Sequence, residues 1–192
     1  MMTLFVTFLI LIVLTVIFIV WGIGVYNSLI RLKTLMEEAW SIVDVFLNKR
    51  YDLIPNLVES VKGYATHENE TLENVILARN QARGTKDIAD KIESEGPLGS
   101  MLGRLMVVSE AYPQLRANEN FMHLQGELAN LEDEIEKARR YYNGTVRENN
   151  IKVKSFPSNI IASMFNFAEG TFFEIKGEAR EAPKVTFKKA ES

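Results

Sequence analysis

The sequence predicts an all-α protein. An N-terminal transmembrane helix is expected to run on as helix 1 of an up-and-down antiparallel four-helix bundle, followed by a short C-terminal amphipathic helix and a tail. Three observations predict this. Residues 1–30 carry no charged side chain, and all 22 basic and 25 acidic residues follow them. An apolar seam with helical spacing continues from the apolar stretch without a breaker. Further helical stripes recur with short connections, which favour antiparallel neighbours. The expected division is an anchor at 1–25, a helical bundle at 26–156, and a segment at 157–192 that packs on the bundle or self-associates.

The anchor comes first. Leu4 to Val20 is almost wholly Leu, Ile, Val and Phe, interrupted only by Thr7 and Thr15. Roughly 20 such residues, at about 1.5 Å rise each, cross the ~30 Å hydrocarbon core of a bilayer. Leu4, Phe5, Phe8, Leu11, Leu14, Phe18 and Trp21 are the expected anchor residues. Trp21 and Tyr26 suit the interface, where amphipathic rings sit. No Lys or Arg precedes the run and bulky residues separate Gly22 from Gly24, so it reads as an uncleaved anchor rather than a signal peptide. Arg31 and Lys33 follow it, and the positive-inside rule then favours a cytoplasmic C-terminal domain; Glu37 and Glu38 weaken that bias.

Helix 1 shows apolar residues at Val25, Leu29, Leu32, Met36, Ala39, Val43 and Phe46, then at Ile54, Leu57, Val61 and Tyr64. Between the two series the seam position is Arg50, which implies a local relaxation of the heptad register. Pro55 cannot donate to the carbonyl of Tyr51, so a kink is expected near 51–55. Arg50, Tyr51, Asp52 and Pro55 therefore stand out as a structural polar and kink site. The guanidinium of Arg50 needs water or a carboxylate, with Glu110 and Glu127 as candidates. The unbroken rod would be on the order of 90 Å long.

Tyr64 to Glu68 reads as a tight connection, with Thr66 as the cap of helix 2. Helix 2 presents Leu72, Val75, Ile76, Arg79 and Ala82, and Gly84 weakens its end. Lys86 to Glu93 either continues it or forms a short separate piece. Glu95-Gly96-Pro97-Leu98-Gly99 is the clearest loop signal. Helix 3 then carries Leu98, Leu102, Leu105, Val108 and Tyr112, and Pro113 stops it. Asn118 is the expected cap of helix 4, whose stripe is Phe121, Leu124, Leu128, Leu131, Ile135, Ala138 and Tyr142. Val146 and Val153 extend it, with Asn149 as a polar intruder.

Several segments together resemble the LemA family. They are Ala39-Trp40-Ser41-Ile42-Val43-Asp44-Val45, Arg50-Tyr51-Asp52-Leu53-Ile54-Pro55-Asn56-Leu57-Val58-Glu59, and Val61-Lys62-Gly63-Tyr64-Ala65 followed by His67-Glu68. Glu110-Ala111-Tyr112-Pro113, Tyr142-Asn143, Phe156-Pro157-Ser158-Asn159, Phe172-Phe173-Glu174 and Ala182-Pro183-Lys184-Val185 agree as well. The likeness runs from about Tyr26 to Phe187. Two departures are mild: Val43 and Phe46 flank Asp44 where the family has Gln nearby, and Glu148-Asn149 stands where a Tyr-Asn pair is common. The resemblance implies a single-pass protein of the bacterial cell (inner) membrane with a helical domain and no catalytic residues to carry over. A family relative takes part in forming the magnetosome membrane compartment, which implies membrane shaping or scaffolding.

The remaining residues offer little chemistry. The net charge of −3 argues against nucleic acid or anionic lipid as a bulk electrostatic partner. The absence of Cys excludes disulfides, thiolate metal sites and Cys nucleophiles. His67-Glu68-Asn69-Glu70 lacks the second His of a zinc helix, and His123 with Glu127 reads as an ordinary surface pair. Glu132-Asp133-Glu134 reads as a solvated face. No catalytic residue, metal or cofactor is expected.

The C-terminal segment is more suggestive, since six of the eleven Phe fall between Phe156 and Phe187. Ser158 is expected to cap a short helix bearing Ile160, Ile161, Met164 and Phe165 on one side. Phe167, Phe172 and Phe173 follow, with extended pieces expected at Phe172–Ile175 and Val185–Phe187. Either this segment closes the bundle core, or it leaves an apolar patch for another copy, a partner or the bilayer surface. Ile160, Ile161, Met164, Phe165, Phe167, Phe172 and Phe173 are accordingly the candidate self-association residues. The expected function is a non-enzymatic, membrane-anchored scaffold acting as a homo-oligomer on the lipid bilayer. The alternative is an adaptor or sensor for a membrane-protein partner such as a protease or signalling protein.

Overall fold

The computed structural model describes residues 1–65 and 67–174. Thr66, Ile175 and the expected extended piece at Val185–Phe187 lie outside the described residues. Every regular element described is a helix: α1 (Met2–Lys62), α2 (Asn69–Gly84), α3 (Ile88–Glu110), α4 (Pro113–Arg116), α5 (Glu119–Lys154) and α6 (Ser158–Met164).

α1 is one helix of 61 residues, on the order of 90 Å long. It contains one stretch apolar and long enough to cross a membrane, and that stretch is fully exposed within the protein. Protein packing starts beyond it: Trp21 and Gly22 are half-buried, and Val25 and Leu29 are buried. The buried series then runs Ala39, Val43, Leu47, Tyr51, Ile54, Leu57, Val58 and Val61. The seam thus shifts to Leu47 and Tyr51 and leaves Phe46 half-buried. A straight helix drifts ahead of a strict heptad, so the extra four-residue step falls at Val43–Leu47, earlier than the sequence spacing suggested.

α5 is the main partner of α1, and the two are antiparallel. Tyr64 meets Asn118, Arg50 meets Glu132, and Trp40 packs on Tyr142. Near the anchor Val153 packs beside Val25. α2 and α3 form a second antiparallel pair, joined by Thr85–Asp87, and α2 also lies along α1. Asn118 caps α5 by accepting the Phe121 N–H at 3.0 Å. Asp87 caps α3 through Ala89 N and Asp90 N.

Two expectations are corrected here. Residues 95–99 are not a loop: α3 passes straight through Gly96 and Pro97. Pro97 removes one helical donor, but Ile92, Leu98, Leu102 and Leu105 form one buried face, and burying it outweighs the local preference. Lys86–Glu93 is accordingly the linker and first turns of α3. Pro113 does not itself end α3, which stops at Glu110; it opens the single turn α4 as its first residue, where a missing N–H costs nothing.

The C-terminal segment starts with α6 and turns back. Asn166 adopts the left-handed conformation (φ 56°), which Asn tolerates. Phe167 N–H then bonds Ala162 O at 2.9 Å and Asn166 N–H bonds Ser163 O at 3.4 Å, the paired bonds of a Schellman ending. Ser158 is not the cap of α6. Pro157 holds that position, while Ser158 Oγ donates towards the carbonyls of Lys152 and Ser155 at 2.7 and 2.9 Å. Phe167 to Glu174 forms no strand, contrary to the expected extended piece at Phe172; it is an irregular strap lying back along α5.

Candidate functional site

Three features stand out: a buried charge network around Arg50, the strap between it and the anchor, and a collar of aromatic and aliphatic residues at the end of the apolar stretch.

The network joins α1, α3 and α5. Arg50 is buried, and its guanidinium binds Glu95 through one terminal nitrogen and Glu132 Oε1 through the other, the latter at 2.8 Å. Its Nε has no partner. Tyr51 donates its hydroxyl to the same Glu95. Burial pushes the Tyr51 phenol up to about 12, an effect Arg50 opposes and Asp44 reinforces. Lys91 of α3 pairs with Asp44, which Asn48 steadies from one turn away at 3.0 Å. Glu110 and Glu127, the carboxylates sought for Arg50, are not its partners; Glu95 and Glu132 are. Glu95 went unread because its neighbours Gly96 and Pro97 resemble a loop. Its signal was a spacing of three from Ile92 and from Leu98, on one helix face.

Pro55 lies within α1 and leaves the Tyr51 carbonyl without its helical donor. Arg79 of α2 supplies the missing donor, Nε to Tyr51 O at 2.8 Å. Arg83 binds Asp52 at 2.8 Å beside it. The four residues singled out around this point thus have distinct tasks: Pro55 frees a carbonyl, Tyr51 and Arg50 hold α3, and Asp52 holds α2.

The strap is held by two asparagines one heptad apart on α5. Asn150 accepts Gly170 N–H at 2.8 Å and donates to Gly170 O at 3.0 Å. Asn143 does the same for Phe173, at 2.8 and 3.1 Å. Asn149, the apparent intruder in the α5 stripe, donates to Ala168 O at 3.2 Å, and Tyr142 donates to Thr171 O at 2.9 Å. Burial pushes the Tyr142 phenol up to about 12. Phe173 is buried, with the Trp40 ring 6.2 Å away and Arg139 stacked over its face at 4.3 Å. Arg139's own partial burial, and after it the charge of Arg50, holds its guanidinium below the usual range. A side chain at Gly170 would run into Met36, which is why the strap approaches α1 there through a glycine.

The collar forms where α6 meets α1. Ile161 and Ala162 are buried with Val25 and Leu29, and Trp21, Tyr26, Val153 and Phe167 surround them. Tyr26 packs edge-on against Phe165 and Phe167, with ring centres 4.8 and 5.6 Å away. A cleft of about 450 Å³ opens beside it between Trp21, Leu32, Ile151 and Phe156.

The candidate self-association residues therefore divide. Ile161 and Phe173 are buried and Phe167 is half-buried, while Ile160, Met164, Phe165 and Phe172 are exposed. Leu4, Phe5, Phe8, Leu11, Leu14 and Phe18 are all exposed along α1, and Trp21 is half-buried in the collar. His123 and Glu127 face one another at 3.9 Å on exposed α5 surface.

The model of the LemA family matches residues 39–187. The chain is 27 % identical over 153 residues to Protein LemA of Metamycoplasma hominis, covering 79 % of this chain and 70 % of that protein. It is 24 % identical over 187 residues to Magnetosome protein MamQ 2 of Paramagnetospirillum magneticum, with 84 % and 68 % covered. It is 23 % identical over the same span to Magnetosome protein MamQ of Magnetospirillum gryphiswaldense, with the same coverage.

Proposed function

The chain belongs to the LemA family, and from that premise we propose that it is a single-pass scaffold of a bacterial cell membrane whose copies associate side by side. Its action is positional rather than catalytic: ordered copies organise or bend the bilayer. One observation carries the reading, namely that α1 is a single helix from the apolar stretch into the core. A rigid connection of this kind transmits the orientation of the domain to the membrane, which a flexible tether does not. α1 also offers exposed Ile30, Ile42 and Val45 along the part that runs through the packed domain, suited to a neighbouring copy. The magnetosome-protein relatives support a membrane role. Arg31 and Lys33 favour a cytoplasmic domain.

The test is the mass of the full-length protein in mild detergent and in reconstituted lipid. Assemblies larger than the 21.9 kDa protomer are expected, and Val45→Glu should shift them towards the protomer. A strict monomer in both media sinks the proposal. The second reading, an adaptor for another membrane protein, is favoured by the open cleft of about 490 Å³ between α1 and α2, beside exposed Leu77. It predicts a defined hetero-complex and a protomer that stays single.

A further inference from the structure

Ile160 and Met164 lie one turn apart on α6, and Phe156 in the turn before it and Phe165 at its end add two more apolar side chains to this stripe. Phe156, Ile160, Met164 and Phe165 are 81, 45, 65 and 53 % exposed. The opposite side of α6 is already used, since Ile161 and Ala162 are buried in the collar. Four large apolar side chains on so short a segment need a cover, and the position of α6 indicates which.

α6 lies at the level of the end of the apolar stretch. A Cβ on Gly22 would stand 3.7 Å from Ile161 Cδ1. Tyr26 contacts both rings that follow α6. Gly22 to Tyr26 rises only about 6 Å along α1. The polar headgroup layer of one leaflet is about 5–8 Å thick, and interfacial helices bury their apolar faces about 5–10 Å into the headgroup–acyl boundary. The anchor's exposed surface also reaches the collar, because exposed Phe18 packs on Trp21 with ring centres 5.5 Å apart. Lys152, in the last turn of α5, precedes the stripe and suits a phosphate headgroup, while Lys154 beside it is paired with Glu169 at 2.7 Å.

We infer that the Phe156–Ile160–Met164–Phe165 stripe is a second membrane-contacting surface, seated in the headgroup–acyl boundary of the bilayer that α1 crosses. The inference rests on α1 spanning that bilayer. Two points of attachment fix both the tilt and the rotation of the rod, which one helix alone leaves free. A second copy of the chain is the competing cover.

The absence of Cys allows single-site labelling. Full-length Met164→Cys, Phe156→Cys, Phe8→Cys and Val107→Cys variants would carry an environment-sensitive fluorophore. They would be reconstituted in vesicles of zwitterionic and anionic phospholipid, then exposed to lipid-borne spin labels or aqueous iodide. Phe8 reports the span and Val107 reports exposed α3 surface away from the membrane. The expected result is strong lipid-borne quenching at Phe8, shallow but clear lipid-borne quenching at Met164 and Phe156, and iodide quenching alone at Val107. Met164 and Phe156 behaving like Val107, with Phe8 in lipid, overturns the inference and leaves the span intact. Protection from both quenchers, with emission that depends on protein density, assigns the stripe to a second copy and also overturns it. Iodide quenching at Phe8 overturns the spanning reading and the inference with it.

Discussion

Burying Arg50 removes a guanidinium from water at a cost of several kcal/mol, which its partners must offset. Glu95 and Glu132 do so with two charge-assisted bonds, and Tyr51 shares Glu95. Removing one member strands the others. Arg50→Ala should therefore destabilise the protein by about 3–5 kcal/mol, whereas replacing Arg50 and Glu95 together with Met should cost much less. Denaturant unfolding of the detergent-solubilised protein, followed by circular dichroism, checks this; equal losses for the two variants would show that the pair is not coupled. Half of this network was legible. Arg50 announced itself as the charged residue on an apolar seam, and Pro55 announced an orphaned carbonyl. Of their partners, Glu95 was masked by the loop signal of Gly96-Pro97, and Arg79, although on the α2 stripe, carries nothing that tells which neighbour it will reach across the fold.

At the scale of elements, long stripes could be read and short segments could not. The α5 stripe from Phe121 to Tyr142 and its Asn118 cap follow from periodicity and capping chemistry. α3 did not, because Gly96-Pro97 is a strong local loop signal that only the buried face of the whole helix overrides. The strap has no periodicity at all; its determinants are the amide side chains of another element. Asn143 and Asn150 together make four hydrogen bonds to it, each worth about 1 kcal/mol net. Asn143→Ala with Asn150→Ala should release it. Hydrogen exchange at the Gly170 and Phe173 amides is expected to become fast while the α5 core stays protected; unchanged protection would mean that Phe173 burial alone holds the strap.

For the whole molecule, the question is where the rod can be made to bend. The sequence points to a continuous helix, and a Pro-Gly insertion near Leu29, at the start of the buried seam, would be one way to break it. The structure moves that point. From Val25 onward α1 is braced by α5 and α6, so a break at Leu29 would be splinted along its whole length. Gly24 is exposed and has no neighbour within 4 Å of its Cβ position, so a ring added there displaces no packed side chain, and only the collar contacts of Trp21 and Gly22 lie between it and the apolar stretch. Gly24→Pro costs a helical hydrogen bond there and adds a kink. Membrane attachment and the melting temperature of the packed domain should be nearly unchanged, while distances from a label at Val107 to the bilayer should broaden. An unchanged distance distribution would show that the rod does not carry orientation.

The clamp on Phe173 also sets an altitude. Phe173 rests on Trp40, about 30 Å along α1 from Val20. Glu174, the next residue, is therefore held partway up the mast and not at the foot of the apolar stretch. A binding partner that took hold there would have to reach up to that deck from the bilayer or arrive from the surrounding solution, and the two asparagines of α5 decide which height it meets.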